Sequence, residues 1–383
     1  MQQALFEKFS SVKVAYKFKC RNTPKIDLLP YKGAIIREIY NLANLRFTHE
    51  DREYLRSLDF MKDSYVDMLR YFRLQPDKYV NISEKDGELD IRISGNWFDI
   101  ILFEVPILAI VSEVYSIAQC NETRINGATA NEYFTGTRRI MAKLKQINKT
   151  NIRFTDFGTR RRFCRRWHNE ILRLVTQYAP QQTFVGTSNV YLARKYNVRP
   201  IGTMAHEWIQ AGQGMWQQTS IANSQRFMLQ SWADVYRGDL GIALSDTLGF
   251  DVFLSDFDMY FAKLFDGCRH DSGNPDVWCN KLINHYKSMD INPKTKTAVF
   301  SDGLTFPEMV RIHNKFSNKI NVSFGIGTNL TNDCGVTPLQ IVIKMIECNG
   351  KPVAKISDSK GKGMCESPEY LAHLKDIIKW KIS

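Results

Sequence analysis

The chain has 383 residues, of which 44% are hydrophobic and 24% charged. That balance excludes a disordered or collagen-like polypeptide and suffices for two domains, or for one barrel-sized domain with an appendage. A formal net charge of +12 fits nucleic acid, an anionic membrane or small polyanionic substrates. The densest cluster, Arg160 to Arg162 with Arg165 and Arg166, is short and no Lys/Arg tail is present, so the surplus is read as substrate electrostatics, with no nucleic-acid partner.

Residues 11–19 (SVKVAYKFK) alternate apolar and charged side chains, which predicts a strand with one wet face. The start at Met1-Gln2-Gln3 has neither the basic head nor the apolar core of a signal peptide. Pro24 and Pro30 bracket a loop, and helices are expected over 31–45 and 63–72. Alternating runs at 79–83 and 89–94 flank Lys85-Asp86-Gly87, a strong hairpin signal. The apolar run 97–118 is interrupted by Asp99, Glu104, Pro106 and Glu113, and charges near the middle of a membrane span are costly, so a buried helix is expected and no membrane partner. These elements predict an N-terminal α+β domain over 1–118, followed by bridging helices over 119–150.

From residue 151 onward a rhythm of short apolar runs begins, at 152–154, 183–185, 200–201, 241–244, 297–300 and 322–324. Each run ends in small or polar residues, and most lead into helix-compatible sequence. This predicts an α/β barrel domain over 151–383, an irregular β/α barrel whose chemistry gathers at the carboxyl ends of its strands. The eight cysteines contain no C-x-x-C pair, which suggests reduced thiols in a cytoplasmic protein.

The strand ends carry the candidate chemistry. In Gly202-Thr203-Met204-Ala205-His206-Glu207-Trp208 a histidine begins a helix-like segment; an imidazole can act as a nitrogen nucleophile toward phosphoryl groups, or simply pack near a helix start. Asp246, at another strand end, can orient that ring and raise its basicity, or can cap a helix. Ser301-Asp302-Gly303 and Gly325-Ile326-Gly327-Thr328 are turns of the kind that bring backbone N–H groups to an anion, although glycine also serves ordinary tight turns. Arg269-His270-Asp271-Ser272-Gly273-Asn274-Pro275 reads as a polar turn combining a cation, a carboxylate and a hydroxyl. Phe157 ahead of Arg160 offers a flat apolar face beside a cation, suited to an aromatic ring or to the core.

Together with Thr155-Asp156-Phe157-Gly158-Thr159-Arg160, Val185-Gly186-Thr187-Ser188-Asn189 and Asn349-Gly350-Lys351-Pro352-Val353-Ala354-Lys355-Ile356-Ser357-Asp358, these motifs resemble the bacterial nicotinate phosphoribosyltransferases in the same order along the chain. The resemblance implies a type II phosphoribosyltransferase, with an irregular α/β barrel, an N-terminal domain and an active site at the interface of a homodimer. It implies that nicotinate and phosphoribosyl pyrophosphate give nicotinate mononucleotide and pyrophosphate in NAD salvage. Mg²⁺ would assist, and ATP hydrolysis would be coupled through a phosphohistidine. By the same resemblance His206 is that histidine and Asp246 its acidic support. Phe157 and Arg160 form the base-stacking motif, and Thr187, Arg269, Asp271 and Ser272 contact substrate. Asp302, Gly303, Gly325, Gly327 and Thr328 form ribose and phosphate sites. A nicotinamide-specific relative shares the Asp-Phe-Gly and Arg-x-Asp-Ser-Gly elements and is the alternative. Family members carry an Asp-x-Tyr-Lys element ahead of Met-Gln-Gln; its absence here is expected to reflect a truncated or misassigned start, the alternative being impaired base binding.

Overall fold

Lys13, Lys17 and Lys19 alternate with Val14, Tyr16 and Phe18 in strand β1 (Lys13–Cys20), and the apolar set is buried. The structure, a computed structural model, describes residues 1–120, 130–148, 150–180, 182–359 and 361–382. The expected hairpin is β2 (Val80–Lys85) and β3 (Glu88–Asn96), joined by Asp86 and Gly87 at φ 53° and 70°. Two successive positive φ values give a turn whose twist matches that of the strands. β3 pairs antiparallel with β1.

The segment Trp97–Ala118 is the one helical stretch among the described residues long and apolar enough to cross a membrane. Here it is a core element, broken by a 3₁₀ turn at Ile101–Phe103, with Trp97, Phe103, Ile107, Leu108 and Val111 fully buried. Pro106 sits in the first turn of helix Glu104–Ala118, where its missing N–H costs nothing. Glu104 and Glu113 accept from Arg160 and Arg162. Of the expected bridging region, helix Ala130–Gln146 is present, and residues 121–129 lie outside the described residues.

The second sheet is parallel throughout. It is built from β4 (Phe154–Asp156), β5 (Phe184–Thr187), β6 (Arg199–Pro200), β8 (Ile242–Leu244), β9 (Gly267–His270), β10 (Thr297–Phe300) and β11 (Asn321–Ile326); a further short strand, β7 (Arg237–Leu240), precedes β8. The order is β6-β5-β4-β11-β10-β9-β8. No ladder joins the edges β6 and β8 among the described residues, so the sheet is an open half-barrel. It is nevertheless curled, because His206 beyond β6 reaches Asp246 beyond β8.

One expectation is corrected. Residues 269–275 are not all turn: Gly267–His270 is a strand, too short and too polar to register as an apolar run, and held by ladders to β8 and β10 on both sides. The first sheet draws on both ends of the chain. β12 (Ile341–Cys348) pairs antiparallel with β1, and β13 (Lys351–Pro352) follows it, giving the order β13-β12-β1-β3-β2. The first sheet is therefore completed by chain from the C-terminal region.

β9 and β10 approach closely at Gly267, where an added Cβ would lie 1.8 Å from the Thr297 carbonyl oxygen. Backbone cannot yield as a flexible side chain would. Gly267→Ala is expected to destabilise the fold by at least about 2 kcal/mol, measurable as a lower urea midpoint with an unchanged slope.

Candidate active site

A cavity of about 390 Å³ opens where the loops after β4, β6 and β9 face β12. Its polar wall is His206, the first residue of helix His206–Ala211, itself buried. His206 Nε2 lies 2.8 Å from Asp246 Oδ1, 2.7 Å from Lys355 Nζ and 3.6 Å from Asp271 Oδ2. Lys355 also meets Asp246 Oδ2 at 2.9 Å, and the Ser272 hydroxyl donates to the same oxygen at 2.6 Å. One ring nitrogen cannot both donate to Asp246 and accept from Lys355, whereas the ammonium–carboxylate pair persists with either tautomer.

Burial, and then the neighbouring Lys355 ammonium, push the His206 pKa down to about 4 against the pull of Asp246. The ring is therefore neutral near pH 7. The expected rise in basicity does not occur, because burial disfavours the charged ring and the third partner is a cation. Burial alone would raise Asp246, but His206 and Lys355 hold its carboxyl well below the usual range.

Arg269 is anchored on three sides: Nε donates to Ser301 Oγ at 2.7 Å, and the two terminal nitrogens donate to Thr203 Oγ1 and Asp271 Oδ1, each at 2.8 Å. Against the cost of its burial, Arg269 and His206 keep Asp271 ionised. The guanidinium lies 5.7 Å from the centre of the Phe157 ring. The cation on that ring is thus Arg269, while Arg160 turns away to Glu104 at 3.0 Å. Gly325 is part of β11 rather than of a turn, and a Cβ there would lie 2.3 Å from Phe157 Cδ2. Its missing side chain seats the aromatic ring.

The lower wall is acidic and basic in close succession. Glu207 accepts from the Tyr16 hydroxyl and, at 3.0 Å, from Trp97 Nε1. Burial and Glu104 push its pKa up to about 7 despite those donors. Lys344, on β12, completes the wall.

The family-level description "Nicotinate phosphoribosyltransferase (NAPRTase) family" matches residues 152–381, and that of its N-terminal domain matches residues 1–112. A nicotinate phosphoribosyltransferase of Ralstonia nicotianae is 48% identical, covering 99% of this chain and 95% of the relative. One from Burkholderia mallei is 47% identical, covering 99% and 93%. The crystal structure of nicotinate phosphoribosyltransferase from Vibrio cholerae is similar at a TM-score of 0.90 and 38% identity, over 99% of this chain and 90% of that one. The chain belongs to the nicotinate phosphoribosyltransferase family.

Of the residues singled out from the sequence, Phe157, Arg160, His206, Arg269 and Asp271 line this family's cavity here, and Asp246 and Ser272 are buried behind it. Thr187 is scaffold: its buried hydroxyl donates to Asp156 at 2.6 Å, beside the His168–Asp156 pair at 2.7 Å. Asp302, Gly303, Gly325, Gly327 and Thr328 are not among the lining residues, and Asp302 is ion-paired with Lys362. Sequence reasoning missed Lys355, Lys344, Glu104, Glu207 and Tyr16. Lys355 stood within a quoted motif, and only its depth in the fold shows its role.

Replacing Lys355 with Met removes the cation that keeps a proton off His206, leaving two carboxylates around the ring. The His206 pKa is expected to rise from about 4 toward the ordinary value of about 6.5, with burial still opposing the charged ring. An NMR titration of the ring, assigned with a His206→Asn protein, measures this; an unmoved midpoint would contradict the assignment. Gly325→Ala is expected to displace Phe157 and to raise KM for the aromatic substrate more than for the ribose donor.

Proposed function

We propose that this chain transfers the 5-phosphoribosyl group of phosphoribosyl pyrophosphate to the ring nitrogen of nicotinate, forming nicotinate mononucleotide and pyrophosphate in NAD salvage. The observation that carries the reading is a buried imidazole, held between Asp246 and Lys355, in the same small cavity as an aromatic face seated beneath an arginine. Full-length relatives named for this activity support it.

In the transfer the bond from C1 of ribose to the pyrophosphate oxygen breaks, and pyrophosphate leaves with the electron pair. The pyridine nitrogen then forms the new bond to C1. Phe157 stacks the flat acceptor, which converts a bimolecular encounter into an oriented one. Asp271, kept ionised by Arg269, places negative charge beside the ribose as positive charge develops on it.

ATP coupling through His206 belongs to the same proposal. The neutral ring attacks the terminal phosphorus of ATP, a phosphorus–nitrogen bond forms and ADP departs. Because the His206 pKa is low, the nucleophile needs no deprotonation near pH 7. The phosphoryl group adds about two negative charges, and Lys355 stands within reach to answer them.

His206, Asp246 and Asp271 place ligand atoms within 4.8 Å of one another, yet the Lys355 ammonium bonds two of the three. Mg²⁺ requires an octahedron of oxygen ligands, so the trio does not fit a resident Mg²⁺. We infer that Mg²⁺ enters as a complex with the substrate's diphosphate. A homodimer is part of the reading, by the resemblance to this family.

Incubation with terminally labelled ATP is expected to label the protein, and His206→Ala to abolish the label. Turnover with nicotinate should exceed that with nicotinamide; preference for the amide would overturn the substrate assignment.

A further inference from the structure

Three cations at or beside the cavity already have carboxylate partners. Arg269 gives hydrogen bonds to Ser301, Thr203 and Asp271. Arg160 serves Glu104, and Lys355 serves His206 and Asp246. Lys344 differs from all of them. It lines the cavity from β12 and is only partly accessible, yet among the described residues it has neither a hydrogen bond nor a carboxylate within 4.0 Å.

Lysine is rarely buried without a partner, because removing an ammonium from water is costly. The charges that face Lys344 come from every surrounding element. They are Glu104 at the start of helix Glu104–Ala118, Arg160 after β4, Asp271 after β9, Lys355 from the C-terminal segment, and His206 and Glu207 from the helix opposite. Glu104 is ion-paired with Arg160 and Asp271 with Arg269, while Glu207, its pKa pushed up to about 7, accepts from Tyr16 and Trp97. Burial therefore pushes the Lys344 pKa down to about 8, with Lys355 and Arg160 adding to the effect and Glu104 opposing it. An anion entering the cavity would find one positive charge uncommitted.

We propose that Lys344 is the specificity-determining residue for the acid over the amide: its ammonium pairs with the carboxylate of the bound pyridine acid. The inference rests on the function proposed above and names the group that selects its substrate. A neutral carboxamide would leave the ammonium unpaired, whereas a carboxylate would satisfy it with a charge-assisted hydrogen bond.

The test compares wild type with Lys344→Met, similar in length and uncharged, and with Lys344→Arg, which retains the charge. Lys344→Met is expected to raise KM for nicotinate on the order of 10- to 100-fold. KM for phosphoribosyl pyrophosphate and for nicotinamide should change little, so the preference for the acid falls by the same factor. Lys344→Arg should retain part of it. Nicotinate binding measured calorimetrically, without turnover, should weaken in parallel; in the wild type it should also weaken as pH rises above about 8 and the ammonium is lost, and the Met protein should lack this limb. An unchanged KM for nicotinate, or a rise confined to the ribose donor, would overturn the inference while leaving the proposed function standing. Failure of the wild type to turn over nicotinate would instead remove the function itself. An unchanged thermal midpoint in the Met protein separates loss of recognition from loss of fold.

Discussion

The ammonium of Lys355 lies between the ring of His206 and the carboxylate of Asp246, at 2.7 and 2.9 Å, and the charge state of the whole site follows from that placement. Two carboxylates and an imidazole brought together under burial would ordinarily take up a proton or a metal ion. A third, cationic partner makes the proton unnecessary. The carboxylates stay ionised, the ring stays neutral, and the histidine remains a nucleophile instead of becoming one more cation. The arrangement also has a mechanical effect. Asp246 follows β8, His206 follows β6, and Lys355 follows the C-terminal hairpin of the other sheet, so one buried cluster ties both open edges of the half-barrel to the antiparallel sheet.

An open half-barrel explains why the chemistry lies where it does. Closed barrels satisfy their edges by hydrogen bonding; here β6 and β8 leave a seam, and side chains bridge it in place of a ladder. The seam is where chain from elsewhere can enter. β12 runs beside β1 in the first sheet and supplies Lys344. The turn beyond it returns Lys355 to the cluster. Neither lysine belongs to the half-barrel, and the cavity exists only because the C-terminal stretch crosses from one sheet to the other.

That crossing separates what was legible in the sequence from what was not. The short apolar runs ending in Gly, Ser or Thr located most of the parallel strands, because buried strands need continuous apolar sequence and their exits need small residues. The His206–Asp246 pair was legible for the same reason, both residues standing at such exits. β9 escaped because Gly-Cys-Arg-His has no apolar run; its neighbours, not its composition, make it a strand. The pairing of β12 was not legible, because its partner β1 lies over 300 residues earlier in the chain, a separation that local pattern cannot report. Gly325 was read as part of an anion-holding turn; it stands in β11, and its missing side chain leaves room for Phe157.

Charge counting does not show where a cation is used. In the cluster Arg160 to Arg162, Arg160 and Arg162 donate to Glu104 and Glu113 on the core helix, and Arg161 donates to the Ile341 carbonyl at 3.0 Å and to Gln340 at 2.9 Å, where β12 begins. These arginines clamp the barrel to the first sheet. A guanidinium with several fixed donors suits such joints, and once its donors are engaged it has little left for a ligand. The charge that matters to a ligand is the charge that folding has left uncompensated, and composition cannot count it. In this cavity the balance is visible only after the carboxylates have been assigned their partners: Glu104 to Arg160, Asp271 to Arg269, Asp246 to Lys355, and Glu207 to the Tyr16 hydroxyl and Trp97 Nε1. What remains is a lysine without an ion pair beside an imidazole and an aromatic face, a setting with the polarity and shape for a small planar anion.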